Sequence, residues 1–185
     1  MAPLPPKSRF RLQAIAFTMI ELILFVTVFV LVSSIGFRSM FALMQQRKLR
    51  TAAVELSGYL QVARNVALTE NSLCTIALTS KTGGVFGPDK SVSDNSCKDG
   101  TIQPSLNLRD FSGSPKLRVE PLPNGGTYPI TFTPEGTLVE GATVLIRSTD
   151  VVEGSWCVDV QAPLATVRIG WLPTGSNRCD YSIEQ

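Results

Sequence analysis

The chain has 185 residues, 44% of them hydrophobic, a formal charge of +2 at pH 7 and no histidine. That length allows one domain of ordinary size together with an additional segment. The absence of histidine excludes Ser-His and Cys-His catalytic pairs, and the near-neutral charge gives no general reason to expect nucleic-acid binding. No catalytic constellation is visible, so we predict a protein that is not an enzyme and needs no cofactor.

The first residues differ in character from everything that follows. Residues 1–13 combine three prolines with three basic residues: Pro3, Pro5, Pro6, Lys7, Arg9 and Arg11. Repeated proline disfavours a stable helix. We therefore expect residues 1–16 to be a leader that is removed or lacks regular structure.

A long apolar run follows, and Glu21 is the only charged residue between Ala14 and Phe37. A helix of that length spans ~36 Å, enough to cross a hydrocarbon core of ~30 Å. The run is longer than a signal-peptide core, and no small-x-small cleavage site follows it. We predict that residues 17–44 form the membrane-spanning half of a long helix. Basic residues flank both ends of the run, so their distribution alone leaves the orientation open.

Glu21 is the anomaly in this run, because an unpaired carboxylate in a membrane span is costly. No basic residue lies in the same span. Cleavage between Ala16 and Phe17 would create an α-amine four residues before Glu21, on the same helix face. In an assembly, Glu21 could instead pair with the amine of another subunit. The alternative is a membrane helix carrying a protonated glutamate.

The helix is predicted to continue from residue 45 to residue 70. An apolar stripe with 4, 3, 4, 3, 4 spacing is formed by Leu49, Ala53, Leu56, Leu60, Ala63 and Ala67. This periodicity is typical of a helix that packs one face on a core. Asn71 is the expected C-terminal cap.

Short β-type segments then alternate with turns. The predicted strands are Leu73–Leu78, Leu117–Val119, Ile130–Phe132, Thr143–Arg147, Trp156–Val160 and Thr166–Trp171. Short connections favour antiparallel pairing, and glycine and proline between residues 79 and 100 predict a long loop. Residues 45–185 are thus predicted to be an α+β body, a helix packed on an antiparallel sheet.

Four cysteines lie in this body: Cys74, Cys97, Cys157 and Cys179. Without histidine or a C-x-x-C pair they do not suggest zinc. An even number in an exported body favours disulfides, and Cys74–Cys97 with Cys157–Cys179 is the preferred pairing, since each closes a local loop worth about 3 kcal/mol. Four buried thiols are the alternative.

Other features point to no ligand. The aromatic residues Trp156, Trp171, Tyr128 and Tyr181 are more typical of a core or sheet face than of a ligand platform. The recurring Asp89, Asp94 and Asp99 lie in a glycine- and serine-rich loop, but their spacing fits no EF-hand. We predict no metal site.

The segment Ala16-Phe17-Thr18-Met19-Ile20-Glu21-Leu22, behind a basic leader, resembles the processing site of type IV prepilins, usually Gly followed by Phe-Thr-Leu-Ile-Glu-Leu. The resemblance implies cleavage after Ala16 by a prepilin peptidase, N-methylation of Phe17, and a role for Glu21 in subunit assembly. Ala16 stands where the family usually has glycine, and a small residue still fits there.

The remainder resembles the GspH/FimT group of pseudopilins and minor pilins. The similarity lies in Leu49–Leu56, Leu60–Leu68, Ile130–Gly136 and Val167–Gly170. It implies a pilin-like fold. Some relatives bind DNA through a C-terminal Gly-Arg-x-Arg, but Trp171-Leu172-Pro173 follows Gly170 here. DNA is therefore a weakly supported partner.

Together these features predict a structural subunit of a type II secretion pseudopilus or a type IV pilus, single-pass in the bacterial inner membrane with a periplasmic body. The implied partners are prepilin peptidase, other pilins or pseudopilins, the inner-membrane assembly platform and membrane lipid. The alternative is a pilus-associated binding module for DNA, a glycan or a secreted protein. Its contact region would be the loop of residues 79–100, with Arg168 and Arg178 as the residues to test.

Overall fold

A computed structural model describes residues 18–80, 84–89, 91–92, 95–98, 105–112, 116–121, 129–149 and 154–182. The side chains of residues 34–39, 41–42, 80 and 98 are not described. The predicted leader, Ala16, Phe17, Asp94, Asp99 and Tyr128 lie outside the described residues. The chain divides into two units, Met1–Met40 and Phe41–Gln185.

One uninterrupted helix, α1, spans Met19–Thr69, which confirms the predicted long N-terminal helix. From Met19 to Val32 its large apolar side chains are 50–83% exposed. Phe25 and Phe29 lie one turn apart with their rings stacked at 6.5 Å. In the described part of the chain, no helix combines the length and the mean hydropathy that a membrane span requires.

The later part of α1 buries the predicted apolar stripe. Each of its six members is 0–1% exposed: Leu49, Ala53, Leu56, Leu60, Ala63 and Ala67. Ala52, Tyr59 and Val66 are buried beside them. The stripe therefore decides which face of the helix meets the sheets.

The end of α1 has a local cause. Asn71 adopts a left-handed conformation with φ 48°, which asparagine tolerates better than most residues. The Ser72 N–H donates to the Ala67 carbonyl at 3.2 Å. This bond closes a Schellman motif and confirms Asn71 as the C-terminal cap.

In the described residues, eight strands form two four-stranded antiparallel sheets. In the first sheet the order is β3-β2-β1-β5, with β1 Cys74–Ser80, β2 Val85–Pro88, β3 Leu106–Asn107 and β5 Ile130–Phe132. In the second sheet the order is β4-β6-β7-β8, with β4 Leu117–Pro121, β6 Ala142–Ser148, β7 Ser155–Gln161 and β8 Thr166–Leu172. The described residues also contain a 3₁₀ turn, Ser96–Lys98, and a short helix, α2 Leu108–Ser112.

The α+β class with a helix on antiparallel sheets is confirmed, but the body has two sheets where we predicted one. The six predicted strands all form. The expected long loop instead contains β2, whose central residues are buried. Sequence analysis missed β2 because it includes Gly87 and Pro88, which usually interrupt strands. Pro88 is tolerated because it is the last residue of β2.

The second sheet has buried residues on both faces. Successive residues of a strand face opposite sides, and Val144 and Ile146 join α1 in the main core. Leu145, Cys157 and Leu172 form a separate buried cluster, with Cys179 packed against it. The chain after β8 therefore covers part of the sheet face opposite the main core.

Candidate functional site

Glu21 lies in the first turn of α1. The Thr18 carbonyl accepts hydrogen bonds from the N–H groups of Glu21, at 3.1 Å, and Leu22, at 3.2 Å, so Thr18 is the residue at the helix start. Thr18 and Glu21 have the spacing of a capping box, and a carboxylate suits the positive end of a helix. Cleavage after Ala16, methylation of Phe17 and pairing of Glu21 with an amine stay predictions.

The surroundings of Glu21 are apolar in every direction around the helix. The twelve exposed apolar side chains from Met19 to Val32 do not fall on one stripe. A helix that is apolar all round is normally covered by lipid or by other helices. Glu21 therefore lies within an exposed apolar surface of the kind that lipid or other helices cover.

Both cysteine pairs form the preferred disulfides. Cys74 joins Cys97, with Cα atoms 5.2 Å apart, and Cys157 joins Cys179, with Cα atoms 6.4 Å apart. The first bond links the start of β1 to the 3₁₀ turn. The second links β7 to the chain after β8.

Several described residues of the proposed contact loop, residues 79–100, are buried in the body. Phe86 is fully buried in β2, and Cys97 is 1% exposed. Asn95, also buried, forms four hydrogen bonds with the main chain of Thr75, Cys97 and Asp89. The sequence contained no signal for Asn95, because its role depends on where β2 ends.

The C-terminal segment Cys179–Ser182, here called the strap, lies along the edge of β8. Asp180 exchanges two main-chain hydrogen bonds with Trp171, at 2.8 and 2.7 Å. Tyr181 covers Gly170 so closely that an added Cβ would lie 2.6 Å from its ring. A glycine is therefore required at this point of β8.

Tyr181 also engages one of the two arginines of the predicted binding surface. The Arg168 guanidinium lies 4.9 Å from the Tyr181 ring centroid. Burial and the nearby Asp159 carboxylate raise the pKa of Tyr181 to about 12, while Arg168 opposes that rise. Asp159 in turn accepts a hydrogen bond from the Thr143 hydroxyl at 2.8 Å. Arg168 thus contributes to holding the strap.

A group of mostly polar residues lines a small open cavity of about 200 Å³. Its lining includes Arg147, Ser155 and Thr174. Arg147 lies directly opposite Arg118 on β4, and its guanidinium is 3.8 Å from the Glu120 carboxylate. Within the described ranges, no group of three His, Cys, Asp or Glu residues could hold a metal ion. The cavity offers polar contacts but no catalytic pair.

Comparison with known proteins adds the following. The sequence profile of the family described as type II transport protein GspH matches residues 52–163, more than half of the chain. A comparison with curated proteins finds no match. A crystal structure of the type IV minor pilin FimU from Pseudomonas aeruginosa (strain PAO1) superposes with a TM-score of 0.50 at 21% identity, covering 75% of this chain and 96% of that one. A second crystal form of FimU superposes with a TM-score of 0.48 at 20% identity, covering 71% of this chain and 97% of that one.

Proposed function

The chain belongs to the GspH family of type II transport proteins, and on that premise we propose that it is a minor pilin or pseudopilin, a structural subunit of a type IV pilus or a type II secretion pseudopilus. Its N-terminal helix is held in the inner membrane before assembly. The body, residues 45–185, lies in the periplasm, where disulfides form.

The observation that carries this proposal is the exposed apolar surface of α1 from Met19 to Val32. Exposed apolar surface of this extent marks a place that another molecule covers. Lipid provides that cover while the subunit waits, and the helices of neighbouring subunits provide it in a filament. The same helix continues into the body, where its apolar stripe is buried, so incorporation of the helix carries the body with it.

Glu21 makes the exchange from lipid to filament favourable. Hydrolysis of the Ala16–Phe17 peptide bond by prepilin peptidase leaves an α-amine on Phe17. The amine of the same chain is four residues before Glu21, and in a filament the Phe17 amine of a neighbouring subunit becomes a further partner for the Glu21 carboxylate. Pairing removes the cost of an isolated charge and therefore favours the assembled state.

The first experiment replaces Glu21. We expect Glu21→Ala to leave the protein expressed and membrane-bound but absent from sheared filaments and from pull-downs of other pilins. Glu55→Ala is the matched control, because Glu55 lies on the same helix within the body. Normal incorporation of Glu21→Ala would contradict the mechanism. Loss of piliation or of protein secretion in the Glu21→Ala strain distinguishes the two kinds of filament.

The second experiment concerns processing. Mass spectrometry of the mature protein should find N-methylated Phe17 at the terminus. Ala16→Gly should be processed at least as well, whereas Ala16→Leu should accumulate as precursor because a bulky side chain replaces a small one. An intact Met1 terminus in cells with an active peptidase would contradict this part of the proposal.

A further inference from the structure

The open cavity of about 200 Å³ lies on the face of the second sheet opposite the main core. Arg147 on β6 and Ser155 on β7 both line it. Each lies two residues from a member of the buried cluster on that face, Leu145 and Cys157 respectively, and residues two apart in a strand share a face. The strands therefore present both side chains to the side of the sheet where the cavity lies.

A turn after β8 forms another wall of the cavity. Pro173, Thr174, Gly175 and Ser176 all line it. The Ser176 N–H donates to the Pro173 carbonyl at 3.1 Å, and Gly175 has φ 82°, as in a type II turn. This wall is therefore held by main-chain geometry.

Arg147 has hydrogen-bonding capacity that the described residues do not use. Its ion pair with Glu120 has an N–O distance of 3.8 Å, which is too long for a hydrogen bond. The two side chains are 47% and 44% exposed, and an exposed pair of this kind contributes little to stability. In the described part of the chain the Arg147 guanidinium makes no hydrogen bond. Its planar fork of N–H donors is therefore available to a ligand.

Ser155 adds a second unused polar group. It is only 7% exposed, and its hydroxyl has no hydrogen-bond partner among the residues that the structure describes. Buried hydroxyls are normally hydrogen-bonded. Ser155 lies directly opposite Leu172, which also lines the cavity. The cavity thus combines an unused guanidinium, an unused hydroxyl and an apolar side chain.

The charges around the cavity favour an anion. Arg118 on β4 lies directly opposite Arg147, so the two arginines share a face of the sheet, and like charges in this arrangement repel each other. Among the described lining residues none is acidic. A ligand that brings negative charge therefore relieves this repulsion.

We propose that the cavity binds a carboxylate on an acidic side chain of a protein partner. The guanidinium of Arg147 matches the two oxygens of a carboxylate, the Ser155 hydroxyl donates a further hydrogen bond, and Leu172 packs against the methylene groups of an aspartate or glutamate. Nucleic acid is disfavoured because phosphate recognition along a strand needs an extended basic surface, and the whole chain carries a formal charge of only +2. This site belongs to the body and does not depend on the assembly step at Glu21.

A nuclear magnetic resonance titration of the full-length chain in detergent tests the site. The probe is N-acetylglutamate α-amide, and the matched probe is its neutral isostere N-acetylglutamine α-amide, at constant ionic strength. We expect saturable shifts of the Arg147 side-chain N–H and Ser155 amide signals with the acidic probe alone. Arg147→Gln should weaken binding about tenfold or more. Arg47→Gln, an exposed position on α1, should leave binding unchanged. Equal shifts with both probes, or undiminished binding to Arg147→Gln, would overturn the proposal.

Glu120→Gln gives a readout that damage to the fold would not produce. The Glu120 carboxylate competes for Arg147, so its removal should tighten binding of the acidic probe about twofold or more, and an unchanged urea midpoint confirms folding of each variant. Weaker binding to Glu120→Gln, or tighter binding of inorganic phosphate or glucuronate to the unmodified chain, would refute the assignment to an acidic side chain. Failure of the acidic probe to bind overturns this site alone, whereas normal incorporation of Glu21→Ala overturns the proposed function.

Discussion

The side-chain amide of Asn95 takes the place of a missing strand residue beside β1. The β1–β2 ladder ends with Ile76 opposite Pro88. Beyond it, Asn95 Oδ1 accepts from the N–H groups of Thr75, at 3.0 Å, and Cys97, at 3.2 Å. Asn95 Nδ2 donates to the carbonyls of Thr75, at 2.8 Å, and Asp89, at 3.0 Å. Asn95 is only 4% exposed, so water does not readily replace it.

Asn95→Ala should therefore be strongly destabilising. The substitution removes the acceptor from two buried N–H groups, those of Thr75 and Cys97, and each orphaned donor costs about 1–3 kcal/mol. The Thr75 carbonyl keeps a hydrogen bond from the Asp89 N–H at 2.8 Å, so the loss of the Asn95 amide at that carbonyl adds little to the destabilisation. We expect a loss of about 2–6 kcal/mol. That is a large part of the 5–15 kcal/mol typical of a folded domain.

Urea unfolding of the full-length chain in detergent, followed by tryptophan fluorescence, measures this loss. Asn65→Ala is the control, because Asn65 is exposed on α1, and its midpoint should hardly change. A loss below about 1 kcal/mol for Asn95→Ala would refute the reasoning.

The Asn95→Asp variant tests the two donated bonds separately. The carboxylate can still accept the hydrogen bonds from Thr75 and Cys97. It cannot donate to the carbonyl oxygens of Thr75 and Asp89, and it repels them. Burial and those oxygens should raise the pKa of the introduced acid above its usual ~3.9. The variant should therefore be most stable below that pH and lose stability as the pH rises through the elevated pKa. A variant equally stable at acid and neutral pH would contradict this account.

Gly58 on α1 has open space around an added Cβ, so Gly58→Ala should stabilise the body by about 0.5–1 kcal/mol in urea unfolding; destabilisation would contradict this. Ultraviolet titration should show a tyrosine with a pKa of about 12 that Tyr181→Phe removes. Because the folded pKa is raised, the contribution of Tyr181 to stability is complete below pH ~10 and is lost between pH ~10 and the folded value. Replacing Cys157 and Cys179 together by alanine should cost about 2–4 kcal/mol, and an unchanged urea midpoint would refute it.

Short-range patterns in the sequence predicted much of this fold correctly. The stripe from Leu49 to Ala67 predicted the buried face of α1, because side chains three and four residues apart share a helix face. Asn71 was recognisable as a cap because asparagine tolerates the left-handed conformation that ends a helix. Both inferences depend on neighbours in sequence, and the structure confirms both.

The features that sequence analysis missed depend on contacts between distant residues. β2 forms despite Gly87 and Pro88 because β1 and β3 pair with it on either side. Asn95 becomes important only because β2 stops one residue short of Thr75. Tyr181 and Gly170 form a contact only because a disulfide and two main-chain hydrogen bonds return the strap to β8. None of these residues forms a motif by itself.

The sequence by itself determined the long helix, its buried stripe, the α+β class, six of the eight strands in the described residues and the anomalous carboxylate at Glu21. These follow from periodicity, capping chemistry and the cost of an isolated charge in an apolar run, all local properties. Only the tertiary structure decided the division into two sheets, the side-chain role of Asn95 and the return of the strap to the edge of β8. Sheet order and surface position depend on which distant segments pair, and no local pattern specifies that pairing.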